Sequence, residues 1–319
     1  MGFECTGSSY GEDIELTRGP GQISPYRDNP DDIFGVDDIG LPDGCQIEQV
    51  HTLQRHAERF PTSSFDDGIN DENFGQKVLN FTTNHANSSF SGPLSFLNTY
   101  RYLLGESFLT GVGATTEFQS GVSFWNRYGR TLYDAAPGQL QYNASYPNGT
   151  MRQKPLLRTT SQSRIENSQI SWALGFFGPS FYETPDPTLS AFGNGSLFDV
   201  LIIPEGGTEN NTLASYDSCF ADDLPKNGDI GDRDLLFQYV PFYLANATRR
   251  MQQYAPAGFR FSINDTYAMQ SICAYETAYI ASSDFCKLFT EDEWAGFEQT
   301  LDIEYYCMSH HQPAYRDLY

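Results

Sequence analysis

Arg55-His56-Ala57-Glu58-Arg59-Phe60-Pro61 sets one histidine between two arginines, directly after a run containing Ile47, Val50 and Leu53. A neutral imidazole is a nucleophile toward phosphorus, and guanidinium groups offer fixed forks of donors to phosphoryl oxygens. In phosphoryl transfer the protein mainly positions the reactants and neutralises the equatorial oxygens, so arginines around a histidine suit that chemistry. His56 is the candidate nucleophile, and Arg55 and Arg59 are candidate phosphate ligands.

Such a pair needs a scaffold that presents it. Residues 1–44 are rich in Gly, Pro and Asp and read as an extended arm. Ile47, Val50 and Leu53 predict a short strand that delivers Arg55 and His56 at its C-terminal end, where open α/β sheets place ligands. Residues 62–106 mix Asp, Asn, Ser and Gly with short aromatic patches and predict a loop-rich insertion. Phe118, Val122, Trp125 and Leu132 share a helical face. Leu156 and Leu157 lead into Arg158, followed by a helix with Ile165 and Trp172. Phe198-Asp199-Val200-Leu201-Ile202-Ile203 reads as a buried strand ended by Pro204. This alternation predicts an α/β core over residues 45–205, a sheet flanked by helices. Residues 206–319 turn helical and read as a cap region. There Thr290 and Glu293 form a capping-box pattern ahead of Trp294, Phe297, Leu301 and Tyr305.

The 319 residues carry a formal charge of −22 and a pI near 4.4, which argues against nucleic acid or anionic membranes as partners. Binding an anionic phosphate is then a local property of the arginines, eased at acid pH. Glycosylation acceptors begin at Asn80, Asn87, Asn143, Asn148, Asn194, Asn210, Asn246 and Asn264. With Cys5, Cys45, Cys219, Cys273, Cys286 and Cys307, they predict a secreted glycoprotein of an oxidising compartment. Met1 to Arg18 contains no apolar stretch of signal-peptide type, so a leader is expected to have been removed or lost. No Cys or His spacing suits a metal, and no cofactor is expected.

The His56 segment resembles the Arg-His-Gly-x-Arg-x-Pro signature of the histidine acid phosphatases, the family that includes fungal phytases. The likeness extends to Gly21-Gln22-Ile23-Ser24-Pro25-Tyr26, Gly121-Val122-Ser123-Phe124-Trp125-Asn126-Arg127-Tyr128 and the stretch from Leu157 to Ile165. It continues through Ile202-Ile203-Pro204-Glu205, Asn211-Thr212-Leu213, Cys219 and the run from Phe285 to Trp294. The resemblance implies a histidine-phosphatase-like central sheet flanked by helices, with a mainly helical cap domain. It implies that His56 becomes phosphorylated, that Arg55, Arg59 and Arg158 hold the phosphate, and that Cys273 and Cys286 form a disulfide. Small phosphate monoesters are the implied substrates.

Two departures stand out. Ala57 replaces the family's glycine, which costs about 1 kcal/mol if that position is left-handed. The family also protonates its leaving alcohol from a His-Asp or His-Ala-Glu motif. None of His51, His56, His85, His310 and His311 begins such a motif, so the proton donor is unknown and the C-terminal part of the fold is expected to be missing. The family's cysteine partners for Cys45 and Cys219 are also lacking. The chain alone is therefore expected to expose apolar surface and to aggregate. The expected activity is that of an acid phosphatase. Asp66, Asp67, Asp71 and Glu72 against Lys77 alone tilt the reading toward broad phosphomonoesters, with phytase action on inositol hexakisphosphate left open. The alternative is a catalytically silent phosphate-binding glycoprotein or an inactive fragment. Sequons and cysteines speak against an intracellular mutase of the wider superfamily.

Overall fold

The computed structural model describes residues 41, 43–62, 68–178, 197–205, 211–214 and 236–309. In chain order its elements begin with α1 (Ile69–Asn84) and α2 (Gly111–Phe124), which passes through a π-helical turn into the short α3 (Arg130–Leu132). Next come β1 (Leu156–Thr160), α4 (Ser163–Phe177) and β2 (Asp199–Ile203), then α5 (Leu236–Gln252), α6 (Ile263–Ile280) and α7 (Glu291–Ser309).

β1 and β2 pair in parallel, with Arg158 opposite Leu201, and α4 is the crossover between them. Phe198 is buried, but Leu201 and Ile202 stay exposed, so the predicted buried strand holds only at its start. The predicted strand through Ile47, Val50 and Leu53 does not form; those residues belong to no helix or strand, and Leu53 is 86% exposed. Their spacing of three explains the miss, because a strand needs a spacing of two to bring side chains to one face. Pairing starts later, at an antiparallel bridge between Arg59 and Leu109.

The segment predicted as loop-rich contains α1 and a 3₁₀ turn at Gly92–Asn98. Phe74 and Val78 lie one helical turn apart and are buried, while polar residues between them mask the period. Gly68 starts this helix at φ 115°, a conformation that glycine reaches without Cβ strain. α1 does not stand apart from the C-terminal helices. Phe74, Val78, Leu94 and Leu97 share a core with Leu244, Met269, Phe285 and Phe297. A second core joins Trp125, Tyr142, Phe176 and Phe177 to Phe198.

α2 turns a different face inward from the one its apolar residues predict. Phe118 is 43% exposed, whereas Gly113, Glu117 and Gly121 are buried; of the predicted face, Trp125 alone is fully buried. Glycine makes this possible. A Cβ on Gly121 would lie 2.1 Å from the Trp172 carbonyl oxygen, and one on Gly175 would lie 2.0 Å from that of Phe118. The backbones of α2 and α4 therefore touch.

Polar ties hold the helical part. Arg250 forks onto both carboxylate oxygens of Glu293 at 2.7 Å and also donates to the Leu288 carbonyl. Glu293 and Thr290 complete the capping box foreseen in the sequence. A disulfide joins Cys273 to Cys286, closing a loop with a sequence separation of 13. Cys45 is exposed; Cys5, Cys219 and the side chain of Cys307 lie outside the described residues, as do Asp66 and Asp67.

Gly175→Ala forces a methyl into backbone and is expected to lower stability by about 1–3 kcal/mol. Gly111→Ala, which meets nothing within 4 Å, should leave it nearly unchanged. Thermal unfolding of the two variants checks this. Equal melting temperatures would mean that α2 and α4 are not in backbone contact.

Candidate active site

The segment from Gln54 to Pro61 is held mainly through its backbone. The Glu58 carbonyl accepts from both the amide and the hydroxyl of Thr110, each at 2.9 Å. Thr110 is also the N-cap of α2, its Oγ1 accepting from the Gly113 amide at 2.9 Å. One threonine thus ends a helix and anchors the segment. Gly113 permits the approach, since a Cβ there would lie 2.1 Å from the Glu58 carbonyl oxygen. Ala57 is not among the residues with positive φ, so alanine sits at the family's glycine position without left-handed strain.

His56 Nδ1 lies 2.8 Å from the Ala57 carbonyl. A carbonyl only accepts, so Nδ1 carries the proton and Nε2 keeps its lone pair. Burial is the main force on the ring and pushes its pKa down to about 4, against the hydrogen bond to Ala57. The charges of Arg55, Arg59 and Arg164 add to the lowering. A neutral imidazole with a free Nε2 among cations is the state a nucleophile toward phosphate needs.

Arg59 donates through Nη1 to the Phe60 carbonyl at 3.0 Å and to the Tyr275 hydroxyl at 3.4 Å. Phe60 meets Tyr279 edge-on at 4.9 Å. These contacts set the segment against α6. Arg164, in the first turn of α4, acts on His56, whereas the sequence marked Arg158 as the further phosphate ligand. Arg158 is exposed on β1 and donates to Thr212 Oγ1 at 3.2 Å. The signal for Arg164 was present as the second arginine of the same stretch, but only packing distinguishes the two.

The acidic rim inferred from sequence changes character. Asp71 is 1% exposed and accepts from Ser271 Oγ at 2.8 Å, so it lies inside the helical core. Lys77 pairs with Asp265 at 2.5 Å. Neither is a free rim charge, while Glu72 stays exposed. Asn80, Asn87, Asn143, Asn148, Asn246 and Asn264 are exposed, while Asn194 and Asn210 lie outside the described residues. No described helix is long and apolar enough to cross a membrane.

Sequence reasoning missed Glu117. This carboxyl lies behind the segment on α2 and is 2% exposed. Its Oε2 accepts from Gln54 Nε2, and Gln54 Oε1 accepts from Ser120 Oγ at 2.9 Å. Burial raises its pKa to about 7, with the nearby Glu58 adding to the rise and the Ala57 amide and Ser168 opposing it.

Comparison with known proteins places this geometry in context. The family described as histidine phosphatase superfamily (branch 2) matches residues 46–316. An acid phosphatase of Schizosaccharomyces pombe is 27% identical over 273 residues, covering 84% of this chain and 52% of the relative. Phytase A of Aspergillus oryzae is 25% identical over 291 residues, 90% of this chain and 54% of the relative. The crystal structure of a phytase from D. castellii superposes with a TM-score of 0.64 at 22% identity, over 85% of this chain and 53% of that one. At that identity the likeness establishes the fold. The chain spans about half the length of the curated relatives it matches.

The His56 ring should titrate near pH 4, well below the value of about 6.5 for an unperturbed imidazole. Because its folded pKa is depressed, the stability tied to neutral His56 is present above about 6.5 and is lost as pH falls through 4. Carbon-13 resonances of labelled histidine, assigned by loss of one signal in His56→Asn, test this. An inflection at or above 6.5 would contradict the buried, cation-flanked ring.

Proposed function

The chain belongs to the histidine phosphatase superfamily, branch 2, and on that premise we propose that it hydrolyses phosphomonoesters through a phosphohistidine at His56. The observation that carries this reading is the neutral His56, with Nδ1 held by a carbonyl and Arg55, Arg59 and Arg164 around it. Nε2 attacks phosphorus in line, the ester P–O bond breaks, and the alcohol leaves. Water then attacks phosphorus, the P–N bond breaks, and inorganic phosphate departs with the imidazole restored. The arginines neutralise the phosphoryl oxygens in both steps. They assist the rate to the extent that their bonds tighten in the transition state. Arg158 is a further candidate ligand at the rim. The acidic chain, exposed sequons and Cys273–Cys286 disulfide support a secreted glycoprotein acting at acid pH.

The leaving oxygen needs a proton unless it is a good leaving group, and no His-Asp motif supplies one. This distinguishes substrates. A nitrophenolate departs without an acid, whereas an alkoxide does not. General acid help is worth roughly 10²–10⁴-fold. The expected outcome is turnover of p-nitrophenyl phosphate at least about 100-fold faster than of glycerol phosphate. Comparable rates on both would identify a donor within the chain.

His56→Ala should abolish turnover, and Arg59→Ala should lower it roughly 10- to 100-fold for each charge-assisted bond lost. Acid-quenched reactions with labelled substrate should trap phosphate on the parent and not on His56→Ala. Turnover that survives in His56→Ala would sink the nucleophile assignment. Vanadate binding without turnover by the parent would favour the silent phosphate binder. Rates on inositol hexakisphosphate beside an aryl phosphate decide between phytase and broad phosphatase.

A further inference from the structure

The reaction above gives no role to Glu117, a buried carboxyl beside the His56 segment. Glu117 sits on the α2 face that Gly113 and Gly121 bring into contact with its neighbours, so its carboxyl cannot turn to solvent. Its bond partner, Gln54, precedes His56 by two residues, and Gln54 is itself fixed to Ser120 on α2. The Ala57 amide faces it from the segment and Ser168 faces it from α4. The charged group turned toward it is Glu58, a second carboxylate. Arg164 lies one turn before Ser168, which donates to its carbonyl at 2.9 Å, but the Arg164 charge acts on His56. Among the described residues, no lysine or arginine forms an ion pair with Glu117.

We propose that Glu117 is a positioning residue that holds the Gln54–Ala57 segment, and with it the His56 ring, in the attacking pose while its carboxyl is protonated. This rests on the phosphatase reading of His56. A buried carboxylate without a cation is costly, and one beside Glu58 more so. A protonated carboxyl still offers an acceptor oxygen to Gln54 Nε2, so the link to the segment survives without the charge. Ionisation sets two carboxylates against each other across the segment and pushes Glu58, and hence Ala57 and His56, away from α2. The raised pKa of about 7 gives the proposal its pH range. Because the folded pKa is raised, the stability tied to Glu117 is complete below about 4.5 and is lost as pH rises through 7. His56 loses its neutral form on the other side, near pH 4. The pose and the lone pair therefore coexist over an acid window bounded by two buried groups.

Glu117→Gln keeps an acceptor for Gln54 but cannot ionise. In the parent, the carbon-13 signal of His56 should show its own inflection near 4 and a second near 7, matching direct titration of a labelled Glu117 carboxyl. Glu117→Gln should keep the lower inflection and lose the upper. It should also lose the fall in melting temperature between pH 5 and 8. If the variant does not fold, the parent decides alone: a Glu117 carboxyl that titrates near 7 while His56 stays unmoved overturns the proposal. So does an upper inflection that persists in Glu117→Gln, or a change in melting temperature with an unaltered His56 profile. Orthovanadate tests the underlying reading separately. If it fails to shift His56 in the parent, the phosphate site falls, while the pH profiles still decide the role of Glu117.

Discussion

Contact between backbones, permitted by glycine, underlies the geometry of the site. Gly121 and Gly175 let α2 and α4 meet at carbonyl distance, and Gly113 lets the same helix meet the Glu58 carbonyl. A helix pair spaced by ordinary side chains is 8–10 Å apart, roughly, and the residues between fill the gap. With glycine at the contact, the α2 terminus, the Gln54–Pro61 segment and the start of α4 are pressed into one small region. Thr110 then serves two of these parts, capping α2 while holding Glu58.

The closeness has an electrostatic consequence. Withdrawing His56 from water disfavours its cation, and withdrawing Glu117 disfavours its anion. The two groups lie on opposite sides of the Gln54–Ala57 segment in chemical terms: one lowered, one raised, both neutral across mildly acid pH. The guanidiniums of Arg55, Arg59 and Arg164 all act on the histidine as positive charges, a field suited to an anion. In a chain with a formal charge of −22, bringing Arg164 to the Arg55–Arg59 pair is an achievement of packing, not of composition.

The helical part of the protein reaches this region at α6. Tyr275 receives a hydrogen bond from Arg59, and Tyr279 packs its ring against Phe60. α6 is in turn stapled by the disulfide at Cys273 and packed on α1 and α5 within one core. The position of Arg59 therefore depends on residues more than 200 positions later in the chain.

The chemistry written in contiguous residues was legible from the sequence alone. Arg55, His56 and Arg59 are neighbours, so their residue types point to phosphoryl transfer without a fold. The Thr290–Glu293 cap and the β1–α4–β2 alternation are likewise local patterns. Tertiary structure decided the rest, and for a common reason. Apolar spacing on α2 pointed to Phe118 and Val122, but glycine carries no hydrophobic signal, so the face that packs most closely was invisible to the pattern. Asp71 looked like a surface charge until Ser271 satisfied it in the core. Arg164 and Glu117 come to face the segment only because α4 and α2 meet it, more than 50 positions away in sequence. Sequence can state which groups can do chemistry; which of them face one another, and in what protonation state, follows from burial and close approach that only the packed chain provides.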